Sequence, residues 1–236
     1  TAMEAADVVV INSCSVTAEG DKKTRNIIRQ AVRKNPEAMV VVTGCYAQLQ
    51  PETIQKIEGV DLIVGSGEKL NIPEFLGELS KKALTEIHIQ KPKEIKKYFH
   101  AYSFGDRTRS FLKVQDGCDY YCTYCTIPFA RGRSRNDSIR NTVAEAREIA
   151  AKGTMEIILT GVNIGDFGKS TGEKFLDLLK ELDHVENLKR IRISSVEPNL
   201  LTDEIIEFAA RSARIMPHFH LPLQSGSNEV LSLMKR

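Results

Sequence analysis

Apolar residues fall into two series of short runs, each run followed by a stretch of mixed character. Val8-Val9-Val10-Ile11, Met39-Val40-Val41-Val42 and Leu62-Ile63-Val64 are continuous and mostly β-branched. Runs of that length suit strands covered on both faces, as in a parallel sheet. The strand units read as Ala6–Cys14, Glu37–Cys45 and Val60–Gly67, with helices predicted over about Lys22–Lys34 and Pro51–Ile57. This βαβαβα order predicts an open parallel α/β domain over residues 1–79. Ser80–Arg107 crowds Lys, Glu, His and Tyr around Pro92 with no apolar period, and predicts a linker over 80–107. A second alternation occupies 108–236. Its strands are predicted at Ser110–Gln115, Glu156–Thr160, Arg190–Ser194 and His218–Leu223. Its helices are predicted at Thr142–Ala151, Glu173–Leu182, Thr202–Ala213 and Asn228–Lys235. Four βα units predict a partial (βα) barrel. The chain opens without Met, and its last helix runs into Met234-Lys235-Arg236 with no cap or return strand, so a sequence truncated at both ends is expected.

Composition narrows the class without naming a chemistry. With 42% hydrophobic and 27% charged residues in 236, collagen-like and disordered chains are excluded. The apolar runs are far short of the ~20 residues of a membrane span, and no signal peptide is visible. Net charge is +2, too near zero to point to nucleic acid. The five cysteines are an odd number with three close together. That is a poor disulfide framework but a good metal site in a reducing compartment, which implies a cytoplasmic protein.

The sharpest chemical signal is Cys118-x3-Cys122-x2-Cys125, directly after the first strand of the second series. Three thiolates on one loop can hold three irons of a 4Fe–4S cluster. With no fourth cysteine nearby, one iron stays open, as catalytic metal sites keep a position free. A structural zinc site would want a fourth ligand, yet no Cys or His follows until His184; a plain group of reduced thiols is the other alternative. Cys14 and Cys45 end two strands at the same register. In an open α/β sheet that is the carboxyl edge, where ligands bind, although each could be a buried core cysteine. Among the basic residues, Lys22, Arg25, Arg29 and Arg33 form one helical stripe, and Arg131, Arg133 and Arg135 follow the cysteine loop. The loop arginines are the better candidates for RNA phosphates, against the alternative of a solvated surface.

The cysteine spacing resembles that of radical S-adenosylmethionine (SAM) enzymes, and the wider context resembles their methylthiotransferase branch. The residues that carry this are Phe111-Leu112-Lys113-Val114-Gln115-Asp116-Gly117-Cys118, Ile127-Pro128-Phe129-Ala130-Arg131-Gly132 and His220-Leu221-Pro222-Leu223-Gln224-Ser225-Gly226-Ser227. Asn12-Ser13-Cys14-Ser15-Val16-Thr17 and Thr43-Gly44-Cys45-Tyr46-Ala47-Gln48 extend it to the first domain. The resemblance implies that the open iron chelates SAM and that one electron cleaves it to methionine and a 5′-deoxyadenosyl radical. A second SAM then supplies the methyl of a methylthio group. It implies a second 4Fe–4S cluster held by Cys14, Cys45 and a cysteine of a preceding strand, and places Tyr124 near the adenine. The barrel rule that active residues lie at strand carboxyl ends makes Thr160, Gly161, Asn163, Ser195, Glu197 and Gln224 candidate SAM contacts, against the alternative of polar turns and helix caps. The run from Gly117 to Gly132 looks most like enzymes acting on N6-threonylcarbamoyladenosine of tRNA. Isopentenyladenosine of tRNA, or an aspartate of a ribosomal protein, is the alternative substrate. An electron donor protein and a sulfur donor are implied partners. A non-catalytic, metal-bound RNA-binding protein is the alternative of another class.

Overall fold

The computed structural model describes residues 6–15, 17–77, 80–105 and 108–236; the ends of the predicted first domain and linker lie outside them. The chain divides into two compact units. One is Thr1–Ile95 with Thr126–Gly132, the other Lys96–Cys125 with Arg133–Arg236. Parallel sheets with helices on them agree with the expected α/β class.

The first unit is a four-stranded parallel sheet of β1 (Val8–Ser13), β2 (Met39–Gly44), β3 (Leu62–Val64) and β4 (Glu86–His88), in that order. Successive side chains of a strand face opposite ways. Met39 and Val41 of β2 therefore join Leu62, Val64 and Ile72 on one face, while Val40 and Val42 join Ile28, Ala31, Ile54 and Ile63 on the other. Both faces are buried, as the continuous apolar run of β2 demands. Helix α1 (Ala18–Lys34) starts earlier than the apolar period predicted, because Thr17 caps it: its Oγ1 accepts from Gly20 N at 3.0 Å. Helices α2 (Cys45–Leu49), α3 (Pro51–Gln55) and α4 (Ile72–Leu76) are short.

The predicted linker contains β4, so that expectation is corrected. Glu86, Ile87 and His88 pair in parallel with Leu62, Ile63 and Val64. A short polar edge strand carries no apolar pattern to announce it. The unit boundary falls at Ile95, which is buried in the first unit, whereas Tyr102 bridges to Leu112 in the second. The segment holding α5 (Ile127–Arg131) belongs to the first unit, where Gly132 comes so close to Pro92 that a Cβ there would lie 2.5 Å from its carbonyl oxygen.

The second unit has a three-stranded parallel sheet, β5 (Ser110–Lys113), β6 (Glu156–Thr160) and β7 (Arg190–Ile193). Helix α6 (Ile139–Ala151) begins at Ser138, whose Oγ accepts from Asn141 N at 3.2 Å. With α7 (Phe175–Asp183) and α8 (Asp203–Arg211) it covers a core of Leu112, Ile149, Ile157, Leu159, Leu178 and Ile191. The predicted fourth strand, His218–Leu223, is not a strand. Only single bridges join Ile191 to Ile215 and Ser195 to His220. Pro217 precedes it, Pro222 interrupts it, and neither supplies an N–H to a ladder. A short α9 (Asn228–Leu233) follows, capped by Ser227.

Candidate functional site

Chain direction alone brings the loops of the second unit together. In parallel strands all carboxyl ends lie at one edge, so the segments after β5, β6 and β7 share it. The segment after β5 carries the three cysteines. Asp116 and Arg135 exchange backbone hydrogen bonds of 2.9 Å, closing the base of the loop. Gly117 then turns with φ +73°, and Asp116 Oδ1 accepts from its N–H at 2.9 Å. Cys118 and Cys122 are buried and Cys125 is half-buried; none forms a disulfide.

The Tyr120 N–H donates to Cys118 Sγ at 3.4 Å, and the Cys125 N–H to Cys122 O at 3.0 Å. Burial pushes the Cys118 thiol up to about 11, with Asp166 and the two other cysteines adding to the rise and the Tyr120 N–H opposing it. Among the described residues no three Cys, His, Asp or Glu side chains close on one point as a single metal ion requires. Three thiolates on one loop can each take a different iron, so the donor set fits a 4Fe–4S cluster.

The other predicted residues separate into two groups. Asn163 is 2% exposed, and its buried amide faces the Asp166 carboxylate, whose charged form it favours against the rise from burial. Gly161 lies at the mouth of the same loop. Ser195 Oγ meets His220 Nδ1 at 2.7 Å, and Glu197 is paired with Arg236. Arg236 also donates to Cys122 Sγ at 3.3 Å. Tyr124 is exposed, and its hydroxyl is raised by burial despite Arg236 nearby. Gln224 is exposed at φ +61°. Thr160, by contrast, spends its hydroxyl on Leu112 O at 3.2 Å and supports the sheet.

Arg135 is corrected outright as a nucleic-acid contact. It is 5% exposed, donates through Nε to Lys97 O at 2.9 Å and through Nη2 to Asp116 Oδ2 at 3.2 Å. A guanidinium held by those acceptors cannot reach a phosphate. Arg133 is exposed, and Arg131 is half-buried in the first unit.

In the first unit, register places Cys14 and Cys45 together at the carboxyl edge. Ser13 pairs with Gly44, so the next residue on each strand is a cysteine. Gly44 has φ +97°, and a Cβ there would strike the Ser13 carbonyl. The Ser13 hydroxyl donates to Thr43 O and accepts from Ala47 N at 3.2 Å, binding β1 to α2. Cys14 is exposed and Cys45 buried. The basic stripe of α1 divides: Arg25 donates to Tyr46 Oη at 2.8 Å, while Arg29 and Arg33 line a cavity of about 680 Å3 with Lys56 and Lys81.

Sequence reasoning missed Gln115, Asp166, Lys169 and Arg236. Asp166 is 1% exposed, raised by burial, and paired with Lys169 at 2.7 Å. A polar residue inside an apolar strand end, as at Gln115, was the one signal available beforehand.

Residues 1–65 match Uncharacterized protein family UPF0004, and residues 112–236 match the Radical SAM superfamily. A relative from Bacillus subtilis, "Threonylcarbamoyladenosine tRNA methylthiotransferase MtaB", is 42% identical over 99% of this chain and 52% of its own length. The Aquifex aeolicus protein of the same name is 40% identical over 98% of the chain and 57% of its own length. A Clostridium botulinum "tRNA-2-methylthio-N(6)-dimethylallyladenosine synthase" is 34% identical over 99% of the chain and 54% of its own length. The chain spans about half the length of these relatives. The solved structure of the radical S-adenosylmethionine methyltransferase TsrM from Kitasatospora setae shares the fold, with a TM-score of 0.69 and 17% identity over 98% of this chain and 51% of that one.

Proposed function

The chain belongs to the radical SAM superfamily, and on that premise we propose that it carries the radical-forming core of a tRNA methylthiotransferase acting at C2 of N6-threonylcarbamoyladenosine. One observation carries the reading: 42% identity, along 99% of the chain, to a protein of that name. Identity falls to 34% against the dimethylallyladenosine synthases, which makes that nucleoside the second reading.

Cys118, Cys122 and Cys125 would hold a 4Fe–4S cluster. When bound, that cluster and SAM supply one-electron cleavage of the sulfonium, the chemistry that activates an unreactive C–H bond. The protein's own part is to bind, orient and exclude water. Burial keeps the Cys118 thiol protonated at neutral pH, so loading must displace its proton. The Tyr120 N–H then remains in place to stabilise the thiolate.

SAM is assigned to the strand-end loops. Gly161 opens the loop after β6 and would offer its backbone to SAM. The buried Asn163 amide, beside Asp166, would offer its remaining donor and acceptor capacity. Glu197 offers a carboxylate for ribose hydroxyls or the ammonium group, Ser195 and Gln224 offer polar contacts, and the exposed Tyr124 ring suits the adenine. Thr160 holds its loop in place. Arg131 and Arg133 would meet RNA phosphates. Cys14 and Cys45 would hold a second cluster. A protein electron donor, a sulfur donor and a cytoplasmic setting complete the proposal; no helix among the described residues is long and apolar enough to cross a membrane.

The test is anaerobic reconstitution, then incubation with dithionite, SAM and tRNA bearing each candidate nucleoside. Mass spectrometry of digested nucleosides should show the methylthio group on the threonylcarbamoyl nucleoside. Turnover of the dimethylallyl nucleoside alone would reject the substrate. Zinc without iron, and no 5′-deoxyadenosine, would reject the enzyme.

A further inference from the structure

Gln115 lies just past β5, between strand and cysteine loop, with no exposed surface. Its neighbours Leu112 and Val114 are apolar and equally buried. An amide in such a place costs free energy unless every polar atom is answered. Here every one is. Oε1 accepts from Val162 N and Asn163 N, both at 2.9 Å. Nε2 has three acceptors within reach of its two N–H groups: Asp116 O at 3.0 Å, Gly117 O at 2.7 Å and Ser134 Oγ at 2.9 Å. Backbone N–H groups only donate and carbonyls only accept, so the amide can face one way only.

These partners are not scattered. Asp116 and Gly117 lead directly into Cys118, and Ser134 closes the far side of the same loop. Val162 and Asn163 lie in the loop after β6, where the Asn163 side chain is buried beside Asp166. Gly161 makes the approach possible: a Cβ there would lie 2.9 Å from Gln115 Oε1 and 3.0 Å from Gln115 O. One side chain therefore joins the two loops at their roots.

We propose that Gln115 is a positioning residue that sets the distance between the cysteine loop and the loop after β6, so that one SAM molecule can meet the loop and the open iron together. This rests on the SAM-dependent function proposed above. Gln115 touches neither SAM nor the reacting atoms. An apolar residue of the same length would fill the space but leave the Val162 and Asn163 N–H groups unpaired and the two loops free to drift. A shift of about 1 Å at a reacting pair is enough to cost ~100-fold in rate.

The experiment compares the wild-type protein with Gln115→Met. In the apo chain, hydrogen exchange at the Val162 and Asn163 amides should quicken while the sheet amides keep their protection. After reconstitution, iron should stay at about four per cluster in both proteins. The SAM concentration giving half of the SAM-induced change in the reduced cluster's electron paramagnetic resonance spectrum should rise by about tenfold or more, and 5′-deoxyadenosine release should fall by at least about tenfold. An unchanged SAM response overturns the proposal, whatever happens to the melting temperature. Should Gln115→Met fail to take up iron, Gln115→Glu decides, because it keeps an acceptor for the Val162 and Asn163 N–H groups but removes the donor to Asp116 O and Gly117 O. The same loss of SAM response is expected there, and a normal response overturns the proposal. A wild-type protein with no SAM response would instead defeat the functional reading on which the proposal stands.

Discussion

The two cysteine groups reach their positions by different routes. Cys118, Cys122 and Cys125 sit on one loop, so local chain geometry keeps them near each other. Cys14 and Cys45 lie on separate strands and meet only because β1 and β2 pair in parallel with Ser13 opposite Gly44. The loop group is mostly buried and enclosed by its own backbone hydrogen bonds. The strand-end pair is half open, with Cys14 exposed. A group made by one loop tolerates change elsewhere, whereas a group made by register fails with the sheet.

The largest effect separates the groups by chemistry. Cys118→Ser or Cys122→Ser should remove about four irons per chain from the second unit and abolish 5′-deoxyadenosine formation. Changing Cys14 and Cys45 together to Ser should leave that formation within about twofold, measured by chromatography of the reaction products. Loss of SAM cleavage in the double variant would break the distinction.

A smaller effect tests how each unit holds its backbone. Gly44 (φ +97°) and Gly168 (φ +95°) both lie where an added Cβ would strike a carbonyl, that of Ser13 or that of Glu173. Changing either to Ala should cost about 3 kcal/mol or more by denaturant unfolding. Gly153 (φ +88°) faces open space, so its Ala variant should cost only ~1 kcal/mol. Equal losses at all three would mean that φ alone, and not the approach to backbone, limits these turns.

The smallest effect belongs to Glu156 in the second sheet. Burial by itself would raise this carboxyl, but Arg192 and Arg190, at 2.7 and 2.6 Å, overturn that and hold it below the usual carboxylate range. A depressed folded pKa contributes stability above the unfolded value and loses it as pH falls through the folded one. Both arginines are partly exposed, so screening limits the contribution. Glu156→Gln should cost about 1 kcal/mol at pH 7, and the gap between variant and wild type should close as acid protonates Glu156. A gap independent of pH would assign the loss to packing.

Much of this was legible beforehand because it is local. Continuous β-branched runs announced β1, β2, β3 and β6, and the cysteine spacing announced the loop. The polar edge strand β4 was invisible, since its place depends on pairing with β3 rather than on any pattern of its own. The expected strand at His218–Leu223 does not form, because Pro217 flanks it, Pro222 interrupts it and neither gives an N–H to a ladder.

Sequence alone determined the α/β class, the three-thiol loop and the two strand-end cysteines, because periodicity, spacing and residue chemistry are properties of neighbours along the chain. Only tertiary structure decided that Arg135 is a buried brace, that Asn163 is a buried amide beside Asp166, and that Gln115 joins two loops. Each of those facts depends on which distant groups answer a polar side chain once water is gone, and no run of adjacent residues contains that information.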